Sequence, residues 1–509
     1  MPSRIVPHPQ LWTKIGLALG LVLLADLVVH DNWAGATSAT LAAAAVLSVA
    51  VAHRRTLRNP VAACAMTVAA ACALLPFERP SLLGWLFFWI ALAIAALAPR
   101  LRRADDAATV LVRIAAALSR APLAPFRDLD LVRKARQRGG GRQPVTAAKA
   151  AGLLALPLVG CVTFAGLFVA ANPVLGQALA RLRLPQLDLF RLILWAIFAI
   201  GFWLLLRPRV RPRFLRRLKP IVATGRDRAT AASVVLSLAL FNLLFAVQNG
   251  LDIAYLWSGA SLPTGMSFAE YAHRGAYPLI LTALLAGAFV LVFLRPGSEV
   301  AKFMAARGLV IAWVAQNVFL VGSTALRTLD YIEAYSLTRM RIAALAWMGL
   351  VAVGLALIGW RLLRGKSSVW LINANAAAAG LVLAVCAVVD LGAVAATWNV
   401  RHARELGASG AALDLCYLGE LGPSAAVALS ELATQPLPPT LQQRIADARN
   451  VAVADLAQRQ NDWRRWTWRG ERRLARALEI AGPPGSAGSN GCEWAPPAQP
   501  LTPPPPAGT

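Results

Sequence analysis

The chain has 509 residues, of which 58% are hydrophobic and only 15% are charged, and its formal net charge is +26. Soluble globular proteins are about 45–50% apolar and about 25% charged, so this composition excludes an ordinary soluble protein and favours one whose surface faces lipid. The positive charge is concentrated in loops, with twelve Lys/Arg in 99–149 and nine in 207–228. These loops lack interleaved aromatic residues, which argues against nucleic-acid binding.

Hydrophobic segments of suitable length recur along the whole chain. A spanning helix needs about 20 apolar residues, and its backbone must be satisfied internally because the bilayer core has no water. Eleven segments meet this condition, at approximately 11–30, 34–52, 60–76, 81–98, 150–171, 189–206, 230–252, 277–294, 305–326, 342–360 and 370–397. The last is long enough to tilt or break. The predicted fold class is all-α, a polytopic transmembrane bundle of about 11 helices.

The distribution of Lys and Arg predicts the orientation of these helices. With the N-terminus in the cytoplasm, the inner segments hold 32 Lys/Arg and the outer loops hold 7. Basic loops stay on the cytoplasmic side, and an odd number of spans places the C-terminus outside. We expect a bacterial inner-membrane protein with a cytoplasmic N-terminus and a periplasmic C-terminus. Its basic loops should contact anionic headgroups, at about 1 kcal/mol per residue.

The predicted spans divide the chain into five regions. These are a four-helix membrane region at 1–98, a basic cytoplasmic loop at 99–149, a seven-helix membrane core at 150–397, an extracytoplasmic helical domain at 398–483 and a Pro-rich tail at 484–509. An amphipathic surface helix is predicted at 104–120. The last region is rich in Gly, Ser and Pro, a composition that predicts disorder.

Polar residues inside the predicted spans are the first candidates for function, because such residues are costly in lipid. They are Asp26, Asn249, Gln316, Asn317 and Asp390. The segment around Asp252 is the richest. Asn242 and Asn249 are seven residues apart, and Gln248 and Asp252 are four apart, so each pair shares a helix face. Interhelical hydrogen bonding is the alternative explanation for these residues.

Two predicted outer loops contribute a further polar cluster. The loop 258–278 carries Glu270, Tyr271, His273 and Arg274, and the loop 327–341 carries Arg327, Asp330, Tyr331, Glu333, Tyr335 and Arg339. Together with Asp252 they could form an outward-facing pocket, in which arginines hold an anion and Glu270 or His273 handles a proton. An ion-pair network that fixes short helices is the alternative. Ser267 and Glu270 also match a helix capping box, which gives Glu270 a structural explanation.

Several strings in the chain resemble a known family. "LDIAYLWSGASLPTGMSFAEYAHRGAYPLILTALL" and "LRTLDYIEAYSLTRMR" are similar to bacterial multi-pass membrane proteins known as a domain of unknown function, numbered four-one-seven-three. "WNVRHA" and "LDLCYLGELGPSAAVAL" look like the end of that family. The resemblance covers roughly 190–480. It implies an architecture and draws attention to the two outer loops, but it supplies no reaction.

Three functions remain open at this point. The first is a non-enzymatic envelope scaffold or sensor, whose outer loops and tail bind an envelope partner. The second is a transporter of a small polar or lipid-linked solute, which uses Asp252, Asn249, Gln316 and Asn317. The third is a membrane transferase acting on a lipid-linked substrate, with Glu270 or Asp330 as base. No standard catalytic or nucleotide-binding motif is found, so the balance favours a non-enzyme.

The cysteine and histidine residues predict few further functional sites. The five histidines are scattered, so no metal site is expected, and no cofactor is expected. Cys416 and Cys492 both lie in the predicted exported tail, where they could form a disulfide.

Overall fold

A computed structural model describes residues 10–29, 35–54, 56–100, 106–119, 189–208, 231–254 and 304–486, together with residues 122, 128 and 285. The predicted spans at 150–171 and 277–294, the loop 258–278 and the Pro-rich end from 487 onwards lie outside the described residues. All regular secondary structure in the described ranges is helical.

The helices are numbered in chain order. They are α1 Gln10–Val29, α2 Ala36–Ala52, α3 Pro60–Glu78, α4 Leu82–Leu97, α5 Ala107–Leu118, α6 Leu189–Leu206, α7 Ala231–Asp252, α8 Met304–Tyr335, α9 Arg339–Arg364, α10 Ser368–Val388, α11 Leu391–Arg401, α12 Leu415–Glu420, α13 Ala426–Ala433, α14 Pro439–Asn461 and α15 Trp468–Ala481. Short 3₁₀ segments follow α4 and separate α12 from α13.

Six of these helices, α1, α3, α7, α8, α9 and α10, are long and apolar enough to cross a membrane. Three shorter apolar helices, α2, α4 and α6, lie at other predicted spans. The chain is therefore a multi-pass membrane protein. The total of eleven spans and the orientation of the termini stay predictions. The predicted surface helix at 104–120 corresponds to α5.

The segment 327–341, predicted as an outer loop, is almost entirely helical in the structure. The helix α8 continues as far as Tyr335, and only three residues separate it from α9. The segment from Arg327 to Tyr335 contains neither Gly nor Pro, so no residue in it interrupts the helix. With 32 residues, α8 is about 48 Å long, against about 30 Å of hydrocarbon. Ser336 adopts a positive φ of 70° where the helix ends.

The last predicted span, at 370–397, is broken in the structure. α10 ends at Val388, and Asp390 is the N-cap of α11, accepting a hydrogen bond from the Gly392 N–H at 3.0 Å. An N-cap carboxylate satisfies backbone donors that have no partner at the start of a helix. The sequence left a break open for this long segment, but the apolar residues on both sides of Asp390 gave no position for it.

The described helices pack around three larger apolar cores, and a fourth, smaller cluster joins α4 to α5. The first joins α1, α2, α3, α4 and α6. The second joins α7, α8, α9 and α10 through residues such as Leu238, Val310 and Trp313. The third joins the helices of the tail to membrane helix ends through Ile332, Leu337 and Ala395. The packed core therefore continues across residue 398, where the sequence predicts a domain boundary.

One end of the bundle, called here the tail end, is covered by the C-terminal helices. Glu78 at the end of α3 accepts hydrogen bonds from Arg469 at 3.1 Å and Arg472 at 2.6 Å. Near the start of α2, the Thr37 hydroxyl donates to the Arg464 carbonyl at 3.2 Å. The tail is thus joined to both N-terminal hairpins.

Contacts at the opposite end, called here the loop end, define the direction of each helix. His53 Nε2 lies 2.8 Å from the Leu205 carbonyl, and the Ala107 N–H donates to Asn373 Oδ1 at 2.8 Å. Accordingly, α4 finishes at the loop end whereas α6 begins at the tail end. In the same way α7 finishes at the tail end and α8 begins at the loop end.

Candidate functional site

The helices α7 and α8 run parallel and in contact, and their interface changes character along its length. Near the loop end it is apolar, with Val234 and Leu238 of α7 packed against Ala306 and Val310 of α8. Towards the tail end polar residues replace them on the same helix faces. We call this the polar seam, defined by Asn242, Gln248, Asn249, Asp252, Gln316, Asn317 and Arg327.

A buried ion pair closes the seam at the tail end. Asp252 is completely buried and Arg327 is 7% exposed, and an Arg327 Nη2 group donates to Asp252 Oδ1. Gln248 Nε2 donates to the same oxygen at 3.0 Å, one helical turn away. Ionised groups removed from water are stable only when paired in this way, so each partner depends on the other.

Amide groups connect the two helices further along the seam. Gln316 Nε2 donates to Asn242 Oδ1 at 2.8 Å, and Asn242 Nδ2 donates to the Leu309 carbonyl at 2.9 Å. Asn249 Nδ2 donates to the Gln316 carbonyl at 3.2 Å. Since Asn242 and Asp252 are ten residues apart on α7, the seam extends for about 15 Å, or half the hydrocarbon thickness.

Three oxygens of the seam are buried and receive no hydrogen bond. Among the described side chains, these acceptors are Asp252 Oδ2, Asn249 Oδ1 and Gln316 Oε1. A buried acceptor without a donor costs about 1–3 kcal/mol, so proteins normally supply one from a side chain, a water or a ligand. The seam is therefore complementary to molecules that bring N–H or O–H donors.

The structure brings together only part of the predicted outer cluster. Arg327 meets Asp252, whereas Asp330, Glu333, Tyr335 and Arg339 are exposed on α8 and at the start of α9. Four further members of the cluster lie outside the described residues, namely Glu270, Tyr271, His273 and Arg274. A pocket between the two predicted loops therefore stays a prediction.

Arg341, which belongs to the same predicted outer loop, organises the turn after α8. The Arg341 guanidinium lies 4.2 Å from the centre of the Tyr331 ring, a cation–π contact, and donates to the Tyr335 carbonyl at 2.7 Å. The Tyr331 and Tyr335 rings lie 4.8 Å apart. These residues therefore fasten the end of α8, which agrees with the alternative that the sequence left open, a structural network.

Asp26 also has a specific partner within the membrane. Arg191 of α6 donates to Asp26 Oδ1 at 2.7 Å and to Oδ2 at 2.5 Å, and Trp195 Nε1 donates to Oδ1 at 2.7 Å. This bidentate pair joins α1 to α6.

Asn317 is 2% exposed and donates to the Trp313 carbonyl of its own helix at 2.8 Å.

Asp390 lies at a junction of four segments on the tail end. Arg473 approaches Asp390 Oδ2 at 2.7 Å, the Ser424 hydroxyl donates to it at 2.9 Å, and Arg79 lies 4.0 Å from Oδ1. Burial favours the neutral acid, but the charge and hydrogen bond of Arg473, together with Arg79 and Ser424, outweigh it. The pKa of Asp390 is therefore lower than its ordinary value of 3.8. This arrangement explains Asp390 as an anchor for the tail.

Within the described ranges, no three His, Cys, Asp or Glu side chains lie together as a metal site would require. Cys416 is half-buried, and Cys492 lies outside the described residues, so their pairing stays a prediction.

Comparison with known proteins identifies a family without a known activity. Residues 61–432 match the family described as Domain of unknown function (DUF4153). The family number suggested by the resemblance is corrected by this match. No curated protein and no solved structure matches the chain.

Proposed function

Since the chain belongs to the family described as Domain of unknown function (DUF4153), we propose its function from the polar seam. We propose that the protein binds a small polar solute between α7 and α8 and passes it across the membrane. This is the second of the three functions that the sequence left open. Ionisable residues within membrane helices commonly mark such pathways.

The single observation that supports this proposal is the row of acceptors without donors. Asp252 Oδ2, Asn249 Oδ1 and Gln316 Oε1 lie along one interface in a segment where lipid supplies no donors. Interhelical bonding alone would favour mutual satisfaction of these groups. Because Asp252 is paired with Arg327, the seam suits a neutral solute with hydroxyl or amide donors.

Accessibility to water tests the proposal directly. In a background without native cysteines, Asn249→Cys and Gln316→Cys are expected to react with a membrane-impermeant, water-soluble thiol reagent. Leu238→Cys and Val310→Cys, in the apolar half of the same interface, are matched controls and should stay unreactive, because both positions are fully buried. Equal, slow reaction at all four positions in folded protein would contradict a solute path.

The first function, an envelope scaffold or sensor, is supported by a different observation. The tail helices are anchored to the membrane helices through Glu78 and Asp390, which would hold their outer surface in a constant orientation. This function needs the tail outside the cytoplasm, in the predicted inner membrane. A reporter active only outside should work after residue 480 and fail after residue 215. The reverse pattern would contradict both the orientation and an envelope partner.

A further inference from the structure

An apolar cavity of about 350 Å³ lies between α4, α5 and α6, remote from the polar seam. The described residues that line it are all apolar or aromatic, among them Trp89 of α4 and Phe198 of α6. Gly201 also lines the cavity, and a Cβ atom added there would meet no other atom within 4 Å. We call this cavity the lipid slot.

The slot is elongated along the membrane helices. It extends along α4 from Leu86 to Leu97, eleven residues or about 16 Å. One leaflet of a bilayer has a hydrocarbon thickness of about 15 Å, half of the whole core. Ile114 and Ala117 of the amphipathic helix α5 line the slot at the loop end. The cavity thus has the length and orientation of a single acyl chain.

One described basic side chain, Arg207, lies at the loop end of the slot, two residues beyond Leu205, which lines the slot. Arg207 directly follows α6 and lies 3.7 Å from Asp128. Basic side chains at a membrane surface attract anionic headgroups that lie within about one Debye length of them. The Arg207 guanidinium is therefore placed to contact a phosphate group at the end of an acyl chain in the slot, beside its pairing with Asp128.

We propose that the slot holds one acyl chain of an anionic phospholipid from the leaflet at the loop end, with its headgroup beside Arg207. Water does not occupy cavities without polar partners, and an empty cavity deprives its walls of dispersion contacts. The bilayer supplies a chain of the right length at this depth. The bound lipid would fasten α5 to the membrane helices, since α5 contributes to the wall.

Photo-crosslinking to the full-length protein in nanodiscs tests this proposal. The probes are phosphatidylglycerol and phosphatidylcholine, each with a diazirine in the middle of one acyl chain. With phosphatidylglycerol, label should concentrate on the peptides that contain Trp89 and Phe198. The phosphatidylcholine probe should label them at least several-fold less, because its headgroup has no net charge.

Two variants make the assignment specific. Gly201→Phe fills the slot and should reduce this labelling at least fivefold. Gly349→Phe places the same side chain on an exposed position of α9, also without a neighbour within 4 Å, and should leave labelling unchanged. Arg207→Gln should remove the preference for phosphatidylglycerol while retaining some labelling by both probes.

The outcomes separate the possible occupants of the slot. Labelling that is equal for both headgroups and insensitive to Gly201→Phe would mean ordinary contact with bulk lipid and would overturn the proposal. No labelling of the slot in protein that elutes as a folded species would mean that the chain itself fills the cavity, and would also overturn it.

Discussion

Replacing Asp252 with asparagine is expected to lower the free energy of unfolding by about 3–5 kcal/mol. The change removes the carboxylate that faces Arg327, and loss of one partner of a buried ion pair leaves a charge that is poorly compensated. Arg327→Met should be similarly harmful on its own. The double variant Asp252→Asn/Arg327→Met should be less destabilised than the sum of the two, with a coupling energy above about 2 kcal/mol. Reversible unfolding in mixed detergent micelles measures all four proteins.

A solvent-exposed ion pair provides the matched control for this cycle. Asp455 and Arg459 are paired at 2.8 Å on α14, with both side chains exposed. Such pairs contribute about 0.3–0.5 kcal/mol, so Asp455→Asn should change stability only slightly. If Asp252→Asn were equally mild, the seam would already contain enough water to screen Arg327, and the buried pair would not hold α7 and α8 together.

The second large effect concerns pH and Asp390. At pH 7, Asp390→Asn is expected to weaken the docking of the tail by about 2–3 kcal/mol, because Arg473 and Arg79 lose their common carboxylate while the asparagine still caps α11. The pKa of Asp390 is depressed in the folded protein, so its contribution is complete above the unfolded-state pKa. It is lost as pH falls below about 4 and through the folded-state pKa.

Limited proteolysis of the tail over a series of pH values checks this dependence. Wild type and Asp390→Asn should differ most at pH 7 and converge as the pH approaches the folded-state pKa. Asp455→Asn, which lies in the same tail but on its exposed surface, should follow wild type throughout. A constant difference in proteolysis rate between wild type and Asp390→Asn at every pH would contradict this prediction. It would show that the shape of the Asp390 side chain, and not its charge, stabilises the docked tail.

Local periodicity predicted the parts of the site that depend on one helix. Gln248 and Asp252 were expected to share a face, and they are joined by a hydrogen bond of 3.0 Å. Amphipathic spacing likewise predicted α5. The partners Arg191 and Arg473 could not be found in this way, because each belongs to a helix that lies far along the chain from the carboxylate it binds. Pairing across helices depends on packing, which a single sequence does not record.

The errors have physical causes as well. The segment 327–341 was interpreted as a loop because it is polar, yet helices that extend beyond the membrane are polar at their ends. A break in the last predicted span was left open but not placed, because the N-cap signal of Asp390 was obscured by the surrounding apolar residues. By contrast, the turn residues Gly422 and Pro423 lie between α12 and α13, where the chain does break.

The contact between Thr37 and Arg464 joins residues 427 positions apart and has a consequence for biosynthesis. At about 5–20 residues per second, the ribosome finishes the later residue roughly 20–85 seconds after the earlier one. Until α15 has been synthesised, Glu78 is without its partners Arg469 and Arg472. A truncated chain that ends before α15 would never supply these two arginines. The Glu78 carboxylate at the end of α3 would then lack them permanently. The N-terminal helices therefore reach their final set of contacts only after the last helix has been synthesised.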